Sequence, residues 1–356
     1  MKKFPFELTK LKEKIQQIIE NYLPPKIKRK WLEFLIRETK NLHFEAIERA
    51  ILEPCQEFLK RGGKRWRAIL FLLLVKGLGG KIDKFKDFAI LPELIHQGSL
   101  IIDDIEDNSD LRRGKPCLHK IYGVDIALNL GNFLYFFPNL ILREKKKEIK
   151  KEIINEIYEL YFQEMINLSL GQAMDIFWAK KKIRNIKEKE YLKMCALKTG
   201  CLSRFSAKLA GILCQKGKKV IEKLGKFGES LGIAFQIQDD ILDLTLKGKE
   251  REKFGKVFAQ DITEGKMTLL VILALKRANL KDKKMLLEIL NKKTNDKKEK
   301  EKAIGIIRKY KAIEDAKNLS KKIVKESWEK IKDLISDPFA KRKLKEFLSF
   351  LCERKI

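Results

Sequence analysis

Histidine is scarce in this chain, with three in 356 residues, and no two of the six cysteines form a CxxC pair. Both shortages argue against a zinc centre, which needs clustered imidazole or thiolate ligands. Scattered single cysteines (Cys55, Cys117, Cys195, Cys201, Cys214 and Cys352) read as buried thiols in a reducing compartment, not as a disulfide framework. Long apolar runs are also missing. The longest, "AILFLLLV" and "TLLVILAL", reach about eight residues, where a membrane span needs roughly 20. "MKKFPFELTKLKEKIQQ" has basic residues but no apolar stretch of a signal peptide. A soluble, cytoplasmic chain is expected. Acids are outnumbered: Lys+Arg is 78 against Asp+Glu 49, a formal charge of +29. Such a balance points to nucleic acid, anionic lipid or a phosphorylated substrate. No zinc-finger, RNP or helix-turn-helix signature accompanies it, so nucleic acid is set aside. Stretches such as "NKKTNDKKEKEK" mix the signs and read mainly as solvated surface, while peripheral contact with an anionic membrane stays open.

Alternating strand patterns are absent too, and what remains is helical. Apolar residues three and four apart predict a helix over 7–22, stopped by Pro24 and Pro25, and one or two more over 29–60. Further helices are expected at 68–77, 87–107, 125–142, 147–178, 187–198, 201–215, 218–246, 266–278, 283–291, 298–312, 314–335 and 339–353. "DNSDLRRGKP" reads as a loop. The lysine-rich stretches 247–256 and 278–302 read as exposed connections. The class is all-α, with 1–356 as a single domain whose motif core is 55–270, followed by a lysine-rich helical part over 271–356.

One spacing occurs twice. Asp103, Asp104 and Asp107 in "LIIDDIEDNSD" repeat as Asp239, Asp240 and Asp243 in "FQIQDDILDLT". Carboxylates at i and i+4 share one helix face and repel each other. A hard divalent cation removes that repulsion, and Mg²⁺ takes oxygen ligands while leaving positions for phosphate. Candidate phosphate-gripping cations lie elsewhere: Lys64, Arg65 and Arg67 after Gly62 and Gly63, then Arg112 and Arg113, Lys198 beside Thr199, Lys256 and Lys266. His96 sits two turns before Asp103 on the same face. Gln172 and Asp175 in "GQAMD" share a face at i and i+3.

Taken in order, "GGKR", the first aspartate motif, "LRRGKP", "GQAMD", "KTG", "FQIQDDILD" and "GKMT" resemble the trans-prenyltransferase (polyprenyl diphosphate synthase) family over residues 55–270, and most closely geranylgeranyl diphosphate synthases. The resemblance implies an isoprenoid-synthase-type bundle of long antiparallel helices around a deep central cavity, usually a homodimer. It implies condensation of isopentenyl diphosphate with an allylic diphosphate and release of pyrophosphate. Asp103, Asp107 and Asp239 are then expected to bind Mg²⁺, about three ions per site, supported by Asp104, Asp240 and Asp243. Gln172 and Asp175 join that network. Arg112, Lys198, Lys256 and Lys266 hold the allylic diphosphate, and Thr199 and Gln236 line the reacting centre. Gly63, Lys64, Arg67, His96 and Arg113 hold isopentenyl diphosphate.

This chain departs from the family pattern at Ala68, where proline is frequent, and at Ala259, where glycine is frequent. Product length is expected to follow the residues four and five places before Asp103. Ser99 and Gly98 are small there, as is Ser169, so geranylgeranyl diphosphate or a longer product is expected, and Gly98→Phe should shorten it. The aromatic cluster Phe133, Tyr135, Phe136 and Phe137 offers a deeper floor. The rival readings are a class I terpene cyclase and a non-catalytic partner subunit of a heteromeric synthase. The first has no use for Lys64, Arg67 and His96, and the second typically loses the aspartate motifs kept here.

Overall fold

The computed structural model describes residues 6–246, 248 and 257–353. Helices dominate. Their placement follows from how apolar each one is around its circumference. Trp66–Gly77 ("WRAILFLLLVKG") is apolar nearly all round, and every residue except Lys76 is buried, which makes it a central strut. Around it stand Ile90–Glu106, the first aspartate helix, and Val124–Phe136, here termed the wall helix. Lys151–Lys180 is the long helix, with 30 residues. Glu188–Lys198, Gly200–Leu213 and the second aspartate helix, Lys218–Thr245, complete the cavity.

Glycines fix the closest approaches. A Cβ on Gly228 would lie 2.3 Å from the Ser203 carbonyl oxygen, and one on Gly232 would lie 2.5 Å from Gly200 Cα. Only hydrogen at these positions lets the second aspartate helix touch Gly200–Leu213. Two apolar cores result. The larger holds Trp66, Phe71, Phe88, Phe205 and Phe227, and the smaller Ile237, Ile241, Leu270, Leu286, Ile289 and Ile307. The second aspartate helix feeds both, with Leu231 in one and Ile237 in the other.

Several expected boundaries move. The stretch 125–142 breaks at Pro138, which starts a new helix to Lys145, because proline cannot supply the interior N–H. The stretch 29–60 divides into Arg29–Leu35, Phe44–Ile47, one wide π-turn at Glu48–Leu52, and Glu53–Lys60. Past Glu329, the stretch 314–335 tightens into a 3₁₀ turn, Lys332–Leu334. Within 278–302 the expected helices 283–291 and 298–312 form as Leu280–Lys292 and Lys297–Lys309, so little of the stretch is the exposed connection also expected there. Leu280–Lys292 buries Leu286, Ile289 and Leu290 on one narrow stripe, which its many lysines had masked. The 247–256 connection lies almost wholly outside the described residues.

The "LRRGKP" loop holds a short antiparallel ladder, Leu111–Arg112 against Lys115–Pro116, paired Leu111↔Pro116 and Arg112↔Lys115. Its two-residue turn has positive φ at both Arg113 (56°) and Gly114 (75°), as a tight hairpin turn demands. Arginine rarely fills that position, so the sequence carried no hairpin signal.

Candidate active site

The first aspartate helix ends at Glu106, and Asp103 and Asp107 face a cavity of about 400 Å³. Across it the second aspartate helix presents Gln236, Asp239 and Asp240. The long helix brings Gln172 and Asp175 because Gly171 allows close contact: a Cβ there would lie 2.3 Å from the Lys198 backbone nitrogen. At that contact the Glu188–Lys198 helix ends at Thr199 and a new one begins at Gly200. The break turns Lys198 and Thr199 inward.

A bonded network follows. Gln172 Nε2 donates to Asp103 Oδ1 at 2.9 Å and to Glu106 Oε2 at 2.6 Å. Lys198 Nζ donates to Asp103 Oδ1 at 3.0 Å and to Asp175 Oδ2 at 2.6 Å. Lys266 Nζ donates to Asp107 Oδ2 at 2.7 Å and pairs with Glu264 at 2.6 Å. Thr199 Oγ1 donates to Gln236 Oε1 at 2.9 Å, and Gln236 Nε2 donates to Asp240 Oδ1 at 3.0 Å. Arg112 Nε donates to Asp104 Oδ1 at 2.8 Å, and its Nη2 reaches Asp103 at 3.5 Å.

Burial opposes ionisation of Asp103, yet Lys198, Lys266 and Arg112 hold it well below the usual carboxylate range. Asp107 goes the other way: burial lifts it to about 6 against the pull of Lys266, and Asp103 and Glu264 add repulsion. Asp240 is lifted to about 7 by burial, against the hydrogen bonds from Tyr191 and Gln236. Lys198 and Lys266 stay charged despite burial, because Asp103 with Asp175, and Asp107 with Glu264, flank them.

The donor set at the acidic pole is carboxylate oxygen, suited to a hard cation. No group of three or more His, Cys, Asp or Glu side chains among the described residues forms a ready cage. Mg²⁺ is typically held by one or two carboxylates, with water and phosphate completing its shell.

A second pole is dominated by arginine. Arg67 is buried, lines the cavity, and its Nε lacks a hydrogen-bond partner. Burial pushes its pKa down to about 10, with Glu93 opposing. His96 lines the same wall. Burial, with Arg67, Arg113 and Arg112 nearby, keeps its ring neutral. Arg113 is aimed by neighbours: its Nη1 donates to the Gly62 carbonyl and its Nη2 to Gln97 Oε1 at 3.1 Å. Gln97 in turn donates to Glu93, which pairs with Arg65 at 2.9 Å. Gly63, at φ 136°, is needed there, since a Cβ would lie 3.1 Å from Arg113 Nη2.

The cavity thus gathers Arg67, His96, Ser99, Asp103, Asp107, Arg112, Ser169, Gln172, Asp175, Lys198, Thr199, Gln236, Asp239, Asp240 and Lys266. Others stand apart. Asp104 lies behind the cavity, gripping Arg112. Asp243 accepts from the backbone N–H groups of Gln260 (3.3 Å) and Asp261 (3.1 Å), anchoring the Gln260–Glu264 turn of helix. Gly63, Lys64 and Arg113 flank the lining, with Lys64 over the Phe350 ring at 5.4 Å. Lys256 lies outside the described residues. Gly98 points away from the cavity: a Cβ there would meet the wall helix, 2.8 Å from the Gly131 carbonyl oxygen. The expectation that it lines the tail's path is corrected on that ground. Ala259 adopts the left-handed conformation at φ 48°, which accounts for the glycine frequent there in the family.

Sequence reasoning passed over Glu106, Glu264 and Tyr191 as site residues. The Tyr191 hydroxyl donates to Asp240 Oδ2 at 2.5 Å. Its position seven residues before Lys198 places both on one face, a signal that was available.

An all-helical bundle with acidic and cationic poles on one deep cavity is the isoprenoid-synthase architecture. A family model described as Polyprenyl synthetase matches residues 48–307. The geranylgeranyl diphosphate synthase of Saccharolobus solfataricus is 32% identical over 323 residues, 90% of this chain and 94% of that protein. A short chain isoprenyl diphosphate synthase of Methanothermobacter thermautotrophicus is 31% identical over 329 residues, 92% and 98% of the two chains. The crystal structure of a geranylgeranyl pyrophosphate synthetase from Pyrococcus horikoshii matches with a TM-score of 0.82 at 30% identity, covering 98% of each chain. This chain belongs to the polyprenyl synthetase family and is a prenyltransferase that elongates prenyl chains.

Proposed function

We propose that the enzyme condenses isopentenyl diphosphate with an allylic diphosphate and carries the product to geranylgeranyl diphosphate or longer. The observation that carries this reading is the pairing of two phosphate-handling poles on one cavity: the lysine-flanked carboxylates, and the buried Arg67, whose Nε has no hydrogen-bond partner. Asp103, Asp107 and Asp239 would hold Mg²⁺, about three ions. When bound, Mg²⁺ supplies positive charge that stabilises the departing diphosphate.

The chain's own residues do the rest. Arg112, Lys198 and Lys266 neutralise the allylic diphosphate, and their carboxylate partners preset their positions. Gln172 and Asp175 keep Asp103 and Lys198 in register. The Thr199 hydroxyl and the Gln236 carbonyl face the carbon that loses its leaving group, and the apolar wall excludes water from it. Arg67, neutral His96 and Arg113 orient isopentenyl diphosphate. Ser99 and Ser169 are small where the tail passes, which favours a product beyond farnesyl.

The test is incubation with labelled isopentenyl diphosphate, Mg²⁺ and dimethylallyl, geranyl or farnesyl diphosphate in turn, followed by sizing of the dephosphorylated products. A ladder reaching twenty carbons or more, abolished by EDTA, is expected. A ladder ending at farnesyl overturns the length assignment. No elongation with any primer overturns the reading.

The reading includes a homodimer acting in the cytoplasm, with the whole chain as one domain. Phe162, Ile166, Leu170 and Phe177 on the long helix are exposed, beside Leu128 and Phe136 of the wall helix, and a patch of this kind marks an interface. The long helix starts at Lys151, carries Glu152, Glu156 and Glu159 in its first turns, and ends at Lys180. Antiparallel packing on a second copy brings opposite charges together. All six cysteines are free thiols, as a reducing compartment requires. No helix among the described residues is long and apolar enough to cross a membrane. Peripheral contact through the lysine-rich surface is tested by vesicle co-sedimentation, with binding expected to rise with anionic lipid content.

A further inference from the structure

The first aspartate helix and the wall helix meet at two glycines whose neighbours differ in kind. A Cβ on Gly98 would lie 2.8 Å from the Gly131 carbonyl oxygen and 3.1 Å from Leu134 Cβ. The nearest obstacles are backbone and helix stem, which cannot yield without moving a helix, with the Tyr135 ring next at 3.2 Å. A Cβ on Gly131 would lie 2.5 Å from Ile102 Cδ1 and 2.7 Å from Ile102 Cγ1. That obstacle is the end of a side chain. Gly131 is buried and does not line the cavity, whereas Ile102 is half-buried and does, immediately before Asp103. A methyl group on Gly131 therefore displaces Ile102, and the space adjoining Ile102 is the cavity.

We propose that Gly131 is a positioning residue for product length: its missing side chain keeps Ile102 drawn back against the wall helix and leaves room for the growing tail beside Asp103. The proposal rests on the prenyl-elongation reading. It assigns a specificity role to a residue that touches no substrate, through the one side chain that would have to move.

The test compares products from labelled isopentenyl diphosphate and a geranyl primer for the wild type, Gly131→Ala, and Gly131→Ala combined with Ile102→Val. Gly131→Ala shortens the main product by at least one five-carbon unit, and the share of the longest wild-type product falls about tenfold or more, the discrimination a single methylene supports. Valine lacks the Cδ1 that would lie 2.5 Å away but keeps the Cγ1 at 2.7 Å, so the double variant relieves the nearer clash and returns part of the way toward the wild-type length. A loss of stability alone does not produce that rescue. An unchanged ladder from folded Gly131→Ala overturns the proposal, as does a shortening that Ile102→Val leaves in place. If Gly131→Ala does not fold, Ile102→Phe fills the same space with both glycines intact. It should give the shorter product, and an unchanged length overturns the proposal. A wild-type chain that elongates nothing overturns both this proposal and the functional reading, and is seen before any variant is compared.

Discussion

Single residues here trade stability against binding. Arg67 is a buried cation whose Nε lacks a partner, and an unmatched buried donor costs about 1–3 kcal/mol. The guanidinium lies over the Trp66 ring, 4.6 Å from its centroid, and the proposed diphosphate contact would supply the missing acceptor. Arg67→Met should therefore raise thermal stability, by about 1 kcal/mol or more, while raising the KM for isopentenyl diphosphate about tenfold or more. The KM for the allylic primer should stay near that of the wild type. Thermal melts and initial rates with each substrate varied in turn check both halves, and a lowered melting point would contradict the assignment. Arg65, two positions earlier, is the contrasting case. It is equally buried and its Nε also lacks a partner, but its terminal nitrogens are bound by Glu93, Gln16 and the Leu59 carbonyl, which tie them into the fold. Alternation of roles within "GGKRWR" is invisible in the string, because both arginines offer the same chemistry.

Elements are positioned by their ends and by their smallest residues. The break at Thr199 and the close pass at Gly171 bring Lys198, Gln172 and Asp103 together from three helices. The Gln260–Glu264 turn depends on Asp243, which accepts two of its first N–H groups. Lys266 follows directly and reaches Asp107. Asp243→Ala should cost about 1 kcal/mol, as for a lost helix cap. Amide exchange over 257–266 should quicken, and kcat/KM for the allylic diphosphate should fall through Lys266 while the rest of the bundle keeps its protection. Exchange that quickens equally in Gly200–Leu213 would mean that Asp243 supports the whole fold. The motif led to a catalytic expectation for Asp243, and its geometry assigns an anchoring role. Helical spacing had placed Asp239 and Asp243 on one face, but one turn further along the axis the neighbour is the Gln260–Glu264 helical turn and not the cavity.

At the scale of the molecule, a charge of +29 opposes self-association, and the proposed dimer face on the wall and long helices offsets it with exposed apolar residues flanked by Glu152, Glu156 and Glu159. Ile166 is exposed there, 55% of its surface free, so replacing it leaves the core intact. Ile166→Lys should weaken a dimer about a hundredfold, as loss of a central interface contact does. Sedimentation velocity across a concentration series reads this out directly. An unchanged sedimentation coefficient places the interface elsewhere.

The helical class, the two carboxylate motifs and the order of the cationic motifs were determined by the sequence alone, because apolar periodicity and residue chemistry are local properties. The tertiary structure decided which members of each motif meet. Neighbours on a helix are turned by about 100° from one another. Ser99 therefore faces the cavity and Gly98 the wall helix, though they are adjacent. Asp103 faces the lysines and Asp104 lies behind them with Arg112. Periodicity gives each helix a face, but only packing against a partner fixes how far that face is rotated.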